Sequence, residues 1–133
     1  SIEHHISVQN KEDYLLAKMD AKLMVQVIIN IVDNAIKYTP KGSNILIKTW
    51  KQGDKAIISI ADNGDGIPDD MKERVFYSGA NKIADSRRSL GLGLSLCKSI
   101  VNAHGGKIAV SDNTPHGTVF TITLPAGEVE IHE

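Results

Sequence analysis

Asn30, Asn34 and Lys37 stand at i, i+4 and i+7 of one helical pattern. At about 100° per residue they fall within roughly 60° of one another around the axis. A carboxamide oxygen is a hard neutral ligand for magnesium, and an ammonium beside it neutralises phosphate oxygens. The same spacing also suits the ordinary wet face of an amphipathic helix. A second cluster, Asp62-Asn63-Gly64-Asp65-Gly66, directly follows an apolar run. A carboxylate at a strand end can accept a hydrogen bond from the exocyclic amine of adenine, and two glycines admit a flat ligand to the backbone. The bland reading of these five residues is a plain turn. A third cluster is Gly91-Leu92-Gly93-Leu94. Glycines just ahead of a helix offer amide donors and the positive helix end to a phosphate chain. With no strand before it, no third glycine and no Gly-Lys-Ser/Thr ending, this cluster is neither a dinucleotide fingerprint nor a P-loop.

The elements that must hold these clusters follow from periodicity. Leu23, Val27, Ile28, Ile31, Val32, Ala35 and Ile36 recur at spacings of three and four, which predicts a helix over 21–38, capped by Asp20 and stopped by Pro40 and Gly42. Ile6 to Gln9 and Tyr14 to Met19 read as short strands before it. Asn44 to Lys51 and Lys55 to Asp62 read as a hairpin turning through Gln52-Gly53-Asp54. Pro68-Asp69-Asp70 opens a short helix ending near Phe76, with acids where the helix dipole favours them. Ser78 to Ser89 lacks periodicity and reads as a loop. A second helix is expected from Leu92 to Ala103, closed by Gly105-Gly106. Lys107 to Ser111 and Thr118 to Leu124 form a final hairpin, turning through Asn113, Pro115 and Gly117. Hairpins alternating with helices predict an α+β fold: a two-layer α/β sandwich, its mixed, mostly antiparallel sheet covered on one face by helices.

The chain has 133 residues, 41% of them hydrophobic and 23% charged, with a formal net charge of -1. That length predicts one domain, over residues 1–125, followed by an acidic, frayed tail over 126–133. The scattered basic residues leave no electrostatic footprint for nucleic acid. The apolar run from Val25 to Val32 is broken by Gln26 and Asn30 and is far shorter than a membrane span of about 20 residues, so no membrane contact is expected. A single cysteine, Cys97, excludes an internal disulfide framework and suits a reducing, cytoplasmic setting; nothing at the start reads as a signal peptide.

In order and spacing, the run from Asn30 to Pro40, the run from Asp62 to Pro68 and the Gly91-Leu92-Gly93-Leu94 cluster resemble the ATP-binding domain of sensor histidine kinases. That family belongs with the gyrase, Hsp90 and MutL ATPases. Ala103 to Gly106 and Gly117 to Phe120 share the likeness, and the stretch from Ala80 to Leu90 resembles the KdpD-type potassium-sensor kinases. The resemblance implies a Bergerat-type fold gripping ATP and Mg2+. By position, Asn34 would ligate the metal, Lys37 would contact phosphate and Tyr38 would pack by adenine. Asp62 would read the adenine amine, with Gly64, Gly66 and Ile67 shaping the base pocket. Gly91, Leu92, Gly93 and Leu94 would lie along the phosphates, and Thr118 falls in the matching Gly117-Thr118 run.

Where gyrase, Hsp90 and MutL carry a water-activating glutamate, this chain has Asn30. An amide takes no proton at neutral pH, so the γ-phosphoryl group should be held for transfer, Asn30 and Lys37 being the catalytic candidates. The chain departs from the family where Phe76 is followed at once by Tyr77, which puts the phosphate contacts of Lys82, Arg87 and Arg88 in doubt. None of its five histidines has the acidic and Arg-Thr-Pro-like flanks of a phosphoacceptor. The acceptor is therefore expected on a separate helical-hairpin domain of a longer, membrane-anchored sensor, with a response regulator downstream. The rival expectations are a serine kinase of the anti-sigma-factor type and a non-catalytic, ATP-gated interaction module.

Overall fold

The computed structural model describes residues 5–10, 21–77 and 88–125. Within them run β1 (His5–Asn10), α1 (Ala21–Tyr38), β2 (Asn44–Gln52), β3 (Lys55–Asp62), α2 (Arg88–Ala103), β4 (Lys107–Asp112) and β5 (Thr118–Pro125). The five strands form one sheet in the order β1-β2-β3-β5-β4. β1 joins β2 in parallel, whereas the other three pairings are antiparallel. The expected mixed, mostly antiparallel sheet is therefore present.

Alternation builds the core face of this sheet. β5 alternates strictly between buried and half-buried residues, so Phe120, Ile122 and Leu124 point to one side. Ile45, Ile58 and Ile60 join them from β2 and β3, and α1 presses Met24, Val27 and Ile31 onto the same layer, as α2 does Leu94, Cys97 and Val101. Ile31 is fully buried; truncating such a side chain to alanine typically costs about 2–5 kcal/mol. Phe76 meets Phe120 edge to face, with ring centroids 6.1 Å apart.

Helix ends follow their local chemistry. α2 closes in a Schellman turn: Gly105, at φ +75°, donates to the Asn102 carbonyl and Gly106 to that of Val101, as only a residue free of a Cβ does cheaply. After α1, the Thr39 hydroxyl donates back to the Ala35 carbonyl at 2.5 Å.

Three expectations need adjustment. The short helix before Phe76 is two 3-10 turns, Asp69–Met71 and Arg74–Phe76, because the dipeptide Lys72-Glu73 between them extends neither. α2 begins at Arg88, not Leu92, so Gly91 and Gly93 lie inside its first two turns; the helix tolerates both glycines at a propensity cost of about 1 kcal/mol each. Leu94 is fully buried in the core, which leaves its backbone alone for any ligand. Of the loop expected over 78–89, residues 88 and 89 are helical; its residues 78–87, with Lys82 and Arg87, the expected strand over 14–19, the Asp20 cap and the tail over 126–133 lie outside the described residues.

Candidate functional site

A cleft of about 370 Å³ opens between the C-terminal half of α1, the turn after β3, the 3-10 turns and the start of β5. Asn34, Ala35, Tyr38 and Thr39 line one side, Asp62 and Thr118 the floor, and Gly66, Ile67, Pro68 and Met71 the opposite side. Val75 and Phe120 close the back. The wall is thus mostly apolar, with a few polar groups at fixed positions, the usual make-up of a small-molecule site.

Asp62 is 8% exposed. Its Oδ1 accepts from the amides of Gly64 at 2.9 Å and Thr118 at 3.3 Å. Burial pushes the carboxyl above its ordinary value, and those two amides pull the other way. Both amides bind Oδ1, so the second carboxylate oxygen keeps its accepting capacity on a side chain that lines the cleft. A buried acid held open in this way suits a donor on a ligand.

Backbone geometry around Asp62 accounts for the glycines. A Cβ on Gly64 would sit 2.7 Å from Thr39 Cγ2, so this glycine serves α1 packing more than ligand approach. Gly66 has φ +83°. Gly117, at φ +117°, brings its backbone so near the Asp62 carbonyl that any Cβ there would overlap it. The loop from Asn113 braces the same point: Asn113 Nδ2 donates to the Asp62 carbonyl at 2.7 Å, and His116 Nδ1 to the Gly64 carbonyl at 2.9 Å.

Asn34, one turn along α1, is 7% exposed and lines the cleft. A carboxamide facing a cleft at that depth is a fit donor for a hard divalent cation that takes its other oxygens from phosphates and water. No cluster of three His, Cys, Asp or Glu side chains among the described residues offers a protein-only metal cage.

A family model described as "Histidine kinase-, DNA gyrase B-, and HSP90-like ATPase" matches residues 19–128. The chain belongs to this family. Sensor protein KdpD of Clostridium acetobutylicum is 44% identical over 125 residues, 92% of this chain and 14% of that protein. The circadian input-output histidine kinase CikA of Synechococcus elongatus is 32% identical over 123 residues, 90% of this chain and 16% of that protein. The chain therefore spans a small fraction of these relatives. The catalytic domain of histidine kinase ThkA superposes with a TM-score of 0.82 at 30% identity, covering 94% of this chain and 82% of that one. ThkA in complex with the response regulator protein TrrA gives a TM-score of 0.78, also at 30% identity, over 93% of this chain and 34% of that one. This is a histidine-kinase-type ATPase catalytic domain, of a family that binds ATP.

Of the residues the sequence singles out, this family fold brings Asn34, Tyr38, Asp62, Gly66, Ile67 and Thr118 into the cleft lining, with Gly64 directly behind Asp62. Lys37 lies outside that lining, about half exposed and 3.0 Å from Asp33, whose carboxylate raises the lysine's affinity for its proton. Asn30 also lies outside it. Its Oδ1 accepts from Gln26 at 3.0 Å, and its side chain reaches the thiol of Cys97 on α2. Gly91 and Leu92 belong to the first turns of α2, and Gly93 and Leu94, further along it, lie outside the lining; at Gly93 a Cβ would meet open space. Sequence reasoning missed Ala35, Thr39, Met71, Val75 and the brace formed by Asn113 and His116. For Met71 and Val75 the available signal was the apolar pair i and i+4 just after Pro68.

Proposed function

We propose that this chain binds ATP with Mg2+ and donates the γ-phosphoryl group to a histidine on a separate helical-hairpin domain of a longer sensor kinase. The observation that carries this reading is Asp62, a buried carboxylate at the floor of an apolar cleft with one oxygen pinned by two backbone amides. Such a group recognises the exocyclic amine of adenine, while Ile67, Tyr38 and Met71 flank the base. Asn34 would hold the cation, which would supply charge neutralisation to the phosphates. Lys37, on the same face one turn further along, exchanges its surface partner Asp33 for a phosphate oxygen. Gly91 and Gly93 admit the triphosphate to the first turns of α2, whose amides face a negative group favourably.

Positioning and charge neutralisation do most of the work in phosphoryl transfer. Asn30 fits that economy, since an amide bonded to Gln26 has no basic lone pair with which to activate water. The domain would act in the cytoplasmic part of a membrane-anchored sensor and feed a response regulator; among the described residues, no helix is long and apolar enough to cross a membrane. The likeness to ThkA in complex with its response regulator protein supports the regulator as partner.

The test is incubation with labelled Mg-ATP and a histidine-bearing helical hairpin of a matching kinase. An acid-labile, alkali-stable phosphoryl bond on the hairpin is the expected result. An acid-stable bond would move the acceptor to serine, and ATP binding with no labelled acceptor would leave a gating module.

A further inference from the structure

Lys72 is not part of the cleft lining, yet it holds the cleft together. Its ammonium donates to the Ile67 carbonyl at 3.0 Å and to the Asp69 carboxylate, and it pairs with Asp112 at 2.9 Å. Three donors meet three acceptors, which saturates the group. The lysine side chain is 16% exposed, whereas Asp112 is 69% exposed, so the stem is packed and the partners come to it.

What it joins decides the meaning. Ile67, Pro68 and Met71 form the wall opposite α1, and Lys72 follows directly in sequence. Asp112 ends β4 and stands in register with Thr118, whose amide binds Asp62. The bonds therefore close a ring: from Asp62 through the Gly-rich turn to Ile67, across Lys72 to Asp112, over to Thr118 and back to Asp62. Without the lysine, the segment between Gly64 and Val75 would be tied to the sheet, among the described residues, by polar bonds only at its Gly64 end.

We propose that Lys72 is a positioning residue for the nucleotide, an ionic clip that sets the distance between the Ile67–Met71 wall and the Asp62 floor. This rests on the reading of the cleft as an ATP site. Because the clip acts through Asp112, the two side chains are coupled in their effect on the ligand although neither touches it.

Calorimetric titration of the 133-residue chain with Mg-ATP tests it, using wild type, Lys72→Met, Lys72→Arg, Asp112→Asn and the Lys72→Met/Asp112→Asn double variant, each with its thermal midpoint recorded. Lys72→Met should weaken ATP about fivefold or more, Asp112→Asn should weaken it less, and the double variant should bind no worse than Lys72→Met. Lys72→Arg should recover most of the affinity, since it keeps the charge and several donors. Asp112→Asn is isosteric and exposed, so it reports on the clip even if Lys72→Met disturbs folding. Wild-type binding with Lys72→Met and Asp112→Asn both unaltered, or with strictly additive losses, overturns the clip alone. No ATP binding by wild type overturns the reading of the cleft and the clip with it.

Discussion

Asp62 is where burial, hydrogen bonding and ligand chemistry meet in one side chain. Its carboxyl titrates above the ordinary value of 3.8 because burial disfavours the charge more than the Gly64 and Thr118 amides relieve it. A carboxyl with a higher pKa folded than unfolded keeps its proton better in the native state. Its contribution to stability is therefore complete below 3.8 and is lost as pH rises through the folded value. In Asp62→Asn the amide oxygen still accepts from both amides while the buried charge is gone. Without nucleotide, that variant should be at least as stable to urea as wild type at pH 7, the gap closing as pH falls toward 3.8. ATP binding should move the other way. A lost charged hydrogen bond of about 1.5–3 kcal/mol corresponds to roughly ten- to a hundredfold weaker affinity, read by calorimetry. Unchanged affinity would take Asp62 out of base recognition.

Elements carry these residues to one place, and their legibility in the sequence was uneven. Helix α1 was legible along its whole length, because its stop at Pro40 and its apolar spacing are local signals. The hairpin of β2 and β3 was equally plain, with Gly53 at φ +61° in its turn. The start of α2 was not: glycines usually mark an edge, and here the helix runs through them from Arg88. Nor could Lys72 be matched with Asp112, since no local pattern links two residues so far apart on different elements. The seam between α1 and α2 gives a prediction of its own. Cys97 is fully buried there, its thiol donating toward the Val27 carbonyl. Burial pushes its pKa up to about 11, which leaves little thiolate at pH 8. Iodoacetamide should label the native chain slowly and the urea-unfolded chain at the rate of a free thiol. Rapid native labelling would mean that the seam opens easily.

At the scale of the whole molecule, the cleft proposed to hold the nucleotide occupies one end of the sandwich, where α1, β3 and β5 present their ends together. Because Asn30 supplies no base, the isolated chain should hydrolyse Mg-ATP slowly, and phosphate release should stay far below that of family members with a carboxylate at this position. Fast magnesium-dependent turnover would point to Asp33 as a base once Lys37 lets it go. The family and the fold were legible because three separated clusters share one order and spacing. The brace from Asn113 and His116 to the Gly-rich turn was not, because it depends on how closely Gly117 lets two backbones approach.

Trp50 is the sole tryptophan of the chain. With Ile45 and Ile47 turned toward the helices, strand alternation places it on the face of the sheet away from α1 and α2, where its indole donates weakly to Gln52. Intrinsic emission from this fluorophore should therefore stay flat during an ATP titration. An optical reporter of occupancy would have to be engineered at the cleft rim, and Trp50 is better kept as a silent gauge of global unfolding.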